Sequence, residues 1–75
     1  MKILVFGMLV EDIGDEQIEV DLLHDLDALK NELLLKYPVL KTRQFMIAVN
    51  KQKADGNIEL EETDEIALIP PFAGG

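Results

Sequence analysis

The chain has 75 residues, 48% of them hydrophobic and 29% charged, with fifteen acidic side chains against seven basic ones and a formal net charge of −8. That length suits one small domain, and its acidic field opposes binding to phosphate backbones or anionic lipid surfaces while favouring a basic protein partner. Cysteine and serine are both missing, which excludes disulfide stapling, thiolate or serine nucleophiles and cysteine-ligated metals, and makes a reducing cytoplasm the expected compartment.

Lys2 to Val10 is apolar on both alternating faces, with Ile3, Val5, Gly7 and Leu9 on one and Leu4, Phe6, Met8 and Val10 on the other. The pattern predicts one strand in the interior of a sheet. A secretory leader is not expected, because acidic Glu11-Asp12 stands where a small-residue cleavage site would be, and no run approaches the roughly 20 apolar residues of a membrane span. Glu11 to Glu16, with Gly14 inside it, reads as a turn, and Gln17-Ile18-Glu19-Val20-Asp21 alternates like a half-buried strand, so the two strands form an opening hairpin.

Asp25 is the expected helix N-cap, since its carboxylate can accept from the free backbone donors of the first turn. Leu26, Leu29, Leu33 and Tyr37 then recur at helical spacing, predicting an amphipathic helix of about three turns. Pro38 ends it at Tyr37. Leu34 and Leu35 widen the apolar stripe, leaving one of them to face solvent. Val39 to Gln44 is a linker, and Phe45-Met46-Ile47-Ala48-Val49 is a run long enough for a strand and too short for a helix. Lys51 to Asn57, containing Asp55-Gly56, is a turn signal; Ile58 and Leu60 make a short extended piece; Glu61 to Asp64 is a polar turn; and Glu65 to Ile69 is the last strand.

Strand, strand, helix, strand, extended piece, strand is an α+β order. The first and last strands, apolar on both faces, belong side by side and parallel in the middle of a mixed sheet, with the one main helix packed across one face. This is the ubiquitin-like β-grasp arrangement, with a globular domain over residues 1–69 and an extended tail over 70–75. One helix covers one sheet face only. Leu4, Phe6, Met8, Ala67 and Ile69 are left on the other, as a surface for a protein partner unless long side chains such as Lys2, Lys51 or Lys53 lie over it.

Side-chain chemistry is sparse. His24 is the sole histidine and reads as a surface residue adjusting the helix start, and Asp21, Asp25 and Asp27 lack the spacing of a calcium loop, so no metal is expected. The acidic clusters at Asp12 to Glu16 and Glu59 to Glu65 read as solvated faces. What remains is the chain end, Pro70-Pro71-Phe72-Ala73-Gly74-Gly75. Two final residues without side chains can enter a narrow channel and present a bare carboxylate to another protein's active site. Six extended residues reach about 20 Å. A carboxylate is a poor acyl donor, so its use as a carrier requires activation to a mixed anhydride that a sulfur or nitrogen nucleophile can attack.

The apolar start Lys2 to Phe6, the helix ending Lys36-Tyr37-Pro38, Ala48-Val49-Asn50, and Asp64-Glu65-Ile66-Ala67-Leu68-Ile69-Pro70-Pro71-Phe72-Ala73-Gly74-Gly75 together resemble the MoaD-type sulfur carriers, the small subunits of molybdopterin synthase. The likeness covers the full length, and the Pro-Pro-x-x-Gly-Gly ending carries most of it. It implies no bound cofactor but a C-terminal adenylate and then a thiocarboxylate on Gly75, made at the expense of ATP by an adenylating enzyme resembling the ubiquitin-activating enzymes, with a separate sulfur donor. The large synthase subunit would take up the tail and supply the catalytic pocket, and sulfur would pass to cyclic pyranopterin monophosphate to make molybdopterin. By position, Phe6 and Ile69 carry over to the docking surface and Pro70, Pro71, Phe72, Ala73, Gly74 and Gly75 to the inserted tail. Phe72 and Lys53 depart from the smaller and the apolar residues expected at their places. Three other readings keep the same fold: a carrier similar to the small protein of thiazole synthesis, a ubiquitin-like modifier joined through Gly75 to lysines, and an interaction module with an inert tail.

Overall fold

A computed structural model describes residues 1–71. Its elements run β1 (Lys2–Val5), α1 (Leu9–Ile13), β2 (Gln17–Glu19), α2 (Leu26–Lys36), a 3-10 helix (Pro38–Thr42), β3 (Met46–Val49), β4 (Gln52–Lys53) and β5 (Ile66–Ile69). The five strands form one mixed sheet in the order β2-β1-β5-β3-β4. β1 and β5 are parallel neighbours inside it, as their two-faced apolar character predicts, and the remaining pairings are antiparallel. This is the expected β-grasp. Among the described residues, no helix is long and apolar enough to cross a membrane.

Register divides the strands into two sets of side chains. Ile3 pairs with Ile66 and Ile18, Val5 with Leu68, and Ile47 and Val49 with Leu68 and Ile66, so all seven point to one face. Against that face α2 lays Leu26, Leu29 and Leu33, and Leu9, Val20, Leu40 and Leu60 close the core. Burying a side chain of this size stabilises by about 1.5–3 kcal/mol, and the most enclosed of them, Ile3, Leu9, Leu29, Leu33, Ile66 and Leu68, have no exposed surface. Leu35 is the member of the predicted pair that faces solvent, 74% exposed.

The predicted helix is present with its predicted ends. Asp25 accepts from the Ala28 backbone N–H at 2.9 Å, and its second oxygen accepts from Asn57 Nδ2 at 3.2 Å. Asn57 Oδ1 in turn accepts from the Asp27 N–H at 2.8 Å, so a loop residue thirty positions away finishes the cap. A matching knot joins the β3–β4 turn to the start of β5, where Asp64 accepts from the Glu61 N–H and from Asn50 Nδ2 while Asn50 Oδ1 accepts from the Glu65 N–H. The backbone hydrogen bond from Ala28, helped by Asn57, holds the Asp25 carboxyl below its ordinary value of 3.8. The Glu61 backbone, helped by Asn50, does the same for Asp64.

Depressed folded values mean stability that is present above the unfolded value and is lost as pH falls through the folded ones. Asp25→Asn/Asp64→Asn removes the titration and keeps one acceptor oxygen at each site for the backbone N–H of Ala28 and of Glu61, losing the bonds from Asn57 and Asn50 at every pH. Its melting temperature should therefore decline less steeply than wild type as the pH drops below 3.8. Parallel declines in a pH series of thermal melts would refute this.

Three expectations change. The first strand stops at Val5, not Val10, because Gly7 adopts φ +61 and turns the chain into α1, with the Val10 N–H bonded to the Gly7 carbonyl at 3.1 Å and Gly14 (φ 90) closing the helix. Met8 therefore leaves the sheet: it is the N-cap of α1, 56% exposed, not a member of the outer strand face. Second, the turn after β3 is the residue pair Asn50-Lys51, both with positive φ (53 and 69), which closes a two-residue hairpin to β4 with the right-handed twist that strands require. Asp55-Gly56 marks a later bend, with Gly56 at φ 81. Third, the linker after Pro38 is a 3-10 turn that buries Leu40. Its end is tied to α1 by Arg43, whose Nη2 and Nε meet the two carboxylate oxygens of Asp12 at 3.1 and 2.9 Å.

Candidate functional site

The sheet face away from α2 carries the second set of side chains. Its middle row, read across the strands, is Gln17, Leu4, Ala67, Ala48 and Lys53. One row toward the chain end, the same register brings Phe6, Ile69 and Met46 together, the Phe6 N–H donating to the Leu68 carbonyl at 3.0 Å. In the opposite direction the row becomes charged, with Lys2 across from Glu19 and next to Glu65. The apolar part of this face thus lies at the end where β5 runs out toward the tail.

Exposure follows that gradient. Phe6 is 47% exposed, while Leu4, Met46, Ala67 and Ile69 are half-buried and Ala48 is buried. A shallow groove of about 370 Å³ runs between Met46, Ala48 and Ile69 on one side and Lys51 and Lys53 on the other. A second hollow, beyond β1, is bounded by Leu4, Phe6, Val10, Asp15 and Glu16. The apolar strip therefore has a basic margin along β4 and an acidic one beside β2, and the two lysines border the strip without covering Phe6. A partner gains most by burying Phe6, since aromatic side chains dominate interface energetics.

Of the sequence-expected site residues, Leu4, Phe6 and Ile69 come together on this face. Met8 does not join them, for the reason given above. Pro70 is half-buried and Pro71 exposed directly after β5, and Phe72, Ala73, Gly74 and Gly75 lie outside the described residues. Met46 and Ala48 belong to the strip and were not singled out in the sequence; their alternation with Ile47 and Val49 was the available signal, usable only once the pairing of β3 with β5 fixed which alternate set faces outward. Among the described residues no group of three His, Cys, Asp or Glu side chains converges as a metal site would require. The described residues thus present an apolar strip that borders the point where β5 ends and Pro70 begins.

The sequence matches the ThiS family over residues 3–75. It is 36% identical to a protein of Caenorhabditis briggsae described as a molybdopterin synthase sulfur carrier subunit, the match covering 100% of this chain and 96% of that protein. Among solved structures, one chain of a complex of subunits 1 and 2 of the molybdopterin-converting factor from Helicobacter pylori superimposes with a TM-score of 0.71 at 28% identity, over 99% of this chain and 96% of that one. Small archaeal modifier protein 1 of H. volcanii superimposes with a TM-score of 0.76 at 25% identity, over 95% of each chain.

Proposed function

The chain belongs to the ThiS family, and from that premise we propose that it is the sulfur carrier subunit of molybdopterin synthase, holding sulfur as a thiocarboxylate on Gly75. The observation that carries this reading is the end-to-end identity of 36% with a relative of that description. The Helicobacter pylori complex supports a large subunit as the partner. In the proposed cycle the Gly75 carboxylate attacks the α-phosphorus of ATP in an adenylating enzyme and pyrophosphate leaves. Hydrosulfide, HS⁻, released by a sulfur donor then attacks the acyl carbon and displaces AMP, and loss of its proton leaves C(O)S⁻ at the chain end.

The body docks through Leu4, Phe6, Ile69, Met46 and Ala67 while the segment from Pro70 to Gly75 enters the large subunit, which supplies the catalytic pocket. Sulfur is delivered there to cyclic pyranopterin monophosphate. The carrier itself is a donor, not a catalyst. Because loading consumes ATP, the proposal puts the cycle in the cytoplasm.

A second reading has its own support: the archaeal neighbour is named as a modifier. In that reading a lysine ε-amine, not sulfur, attacks the adenylate and forms an isopeptide bond. Incubation with an adenylating enzyme, ATP and a sulfur source, followed by intact-mass spectrometry, separates the two. Exchange of one terminal oxygen for sulfur supports the carrier, and an isopeptide adduct with no exchange overturns it.

A further inference from the structure

Where β1 ends, the chain makes a left-handed turn that glycine adopts most readily, and that turn lies against the ring from which the tail departs. Gly7 has φ +61, and a Cβ placed on it would stand 2.7 Å from Pro70 Cγ, 3.3 Å from Cδ and 3.8 Å from Cβ. Gly14 and Gly56 share the left-handed conformation, at φ +90 and +81, but a Cβ on either would meet nothing within 4 Å. Those two serve the backbone alone. Gly7 has a second constraint, the space taken by a proline.

Both sides of this contact are held. The Phe6 N–H is bonded to the Leu68 carbonyl, the Val10 N–H to the Gly7 carbonyl, and Ile69 is paired with Met46. Pro70 has a locked φ, so the seat of its ring sets the direction in which the following backbone leaves the sheet. We infer that Gly7 is a positioning residue: its missing side chain lets the Pro70 ring seat against the turn, and that seat aims the segment carrying Gly75. The geometry stands alone, whereas its consequence for sulfur transfer rests on the proposed carrier function.

A Cβ at position 7 reaches ordinary contact only if Pro70 Cγ retreats by about 1 Å. The ring can yield in part by flipping its pucker, which moves Cγ but leaves Cδ at 3.3 Å, so the rest of the adjustment falls to the backbone at the root of the tail. Displacement on the order of 1 Å at a reacting centre costs about a hundredfold in rate.

The test is a cycle of Gly7→Ala, Pro70→Ala and the double variant, each full length and loaded as the thiocarboxylate, with Gly14→Ala as the control for left-handed strain without a neighbour. Single-turnover sulfur transfer at saturating large subunit should fall about ten- to a hundredfold in Gly7→Ala, with the Kd for the large subunit and the Gly14→Ala rate both within about twofold of wild type. In the Pro70→Ala background, adding Gly7→Ala should slow transfer by no more than about twofold, the limit of additivity for uncoupled sites. An undiminished rate in Gly7→Ala, or an equal loss in both backgrounds, overturns the inference. Thermal melts of the same four proteins read the contact without reference to sulfur: the melting temperature lost through Gly7→Ala should be smaller when Pro70 is alanine, and equal losses would likewise overturn it. A wild-type chain that transfers no sulfur would instead sink the carrier function, with the melts still deciding whether Gly7 and Pro70 are coupled.

Discussion

Deleting Gly75 should reduce sulfur loading by more than about a hundredfold while leaving the thermal unfolding of the domain within a few degrees of wild type. The truncated chain still ends in a carboxylate, now on Gly74, so the effect is one of reach. One residue shortens an extended tail by about 3.5 Å, several times the misplacement that costs two orders of magnitude in an oriented reaction. Stability should persist because, among the described residues, every side chain of the core lies between Ile3 and Leu68 and the last strand ends at Ile69. The matched experiment adds residues after Gly75 that are not removed, which converts the reactive carboxylate into a peptide bond. Loading of either variant at the wild-type rate, read by intact mass, would sink the assignment of Gly75 as the reactive end.

The second large effect is expected at Phe6. In the free chain its ring is 47% exposed, so Phe6→Asp places a carboxylate in water, and the isolated domain should melt near the wild-type temperature. Docking would take that carboxylate out of water beside Ile69 and Met46, which offer it no hydrogen bond and no opposite charge. An unpaired polar group buried at an interface centre, together with the loss of an aromatic anchor, costs about 2–4 kcal/mol, or a Kd raised about 30- to 1000-fold. Leu35→Asp is the control, since Leu35 is 74% exposed on α2, and α2 packs on the other face of the sheet. Calorimetric titration of the large subunit with each variant decides the matter. Equal affinities for wild type and Phe6→Asp would move the docking surface off this face.

Local signals served well where one element dominated its own neighbourhood. Asp25, Leu26, Leu29, Leu33 and Pro38 specify a capped three-turn helix by spacing alone, because capping and amphipathicity are readable within a dozen residues. They failed between Lys2 and Val10, where nine mostly apolar residues suit a strand as well as a strand followed by a buried helix. Gly7 was the punctuation that divided them, and its reason, the seat of Pro70, lies sixty-three positions away in the chain. Asp55-Gly56 is the stronger local turn signal, because Lys51 is an uncommon bearer of positive φ and its dipeptide carries no turn signature of its own, yet the hairpin closes at Asn50-Lys51. The Asn50 side chain bonds across to Asp64 and the Glu65 backbone, contacts that favour the turn from outside the hairpin.

Read by itself, the amino-acid order determined an acidic composition without cysteine or serine, the main helix with both its ends and two strands apolar enough to lie inside a sheet, and it pointed to the glycine-terminated chain end as the reactive candidate. Those properties are local or compositional, and each is set by residues within a few turns of one another. Tertiary structure alone decided which alternate side chains face away from the helix, that Met46 and Ala48 join Leu4, Phe6 and Ile69 there while Met8 does not, and that Gly7 lies under Pro70. The reason is that a strand's two faces are equivalent until pairing with distant strands orients them, and a contact between residues 7 and 70 exists only once β1 and β5 lie parallel.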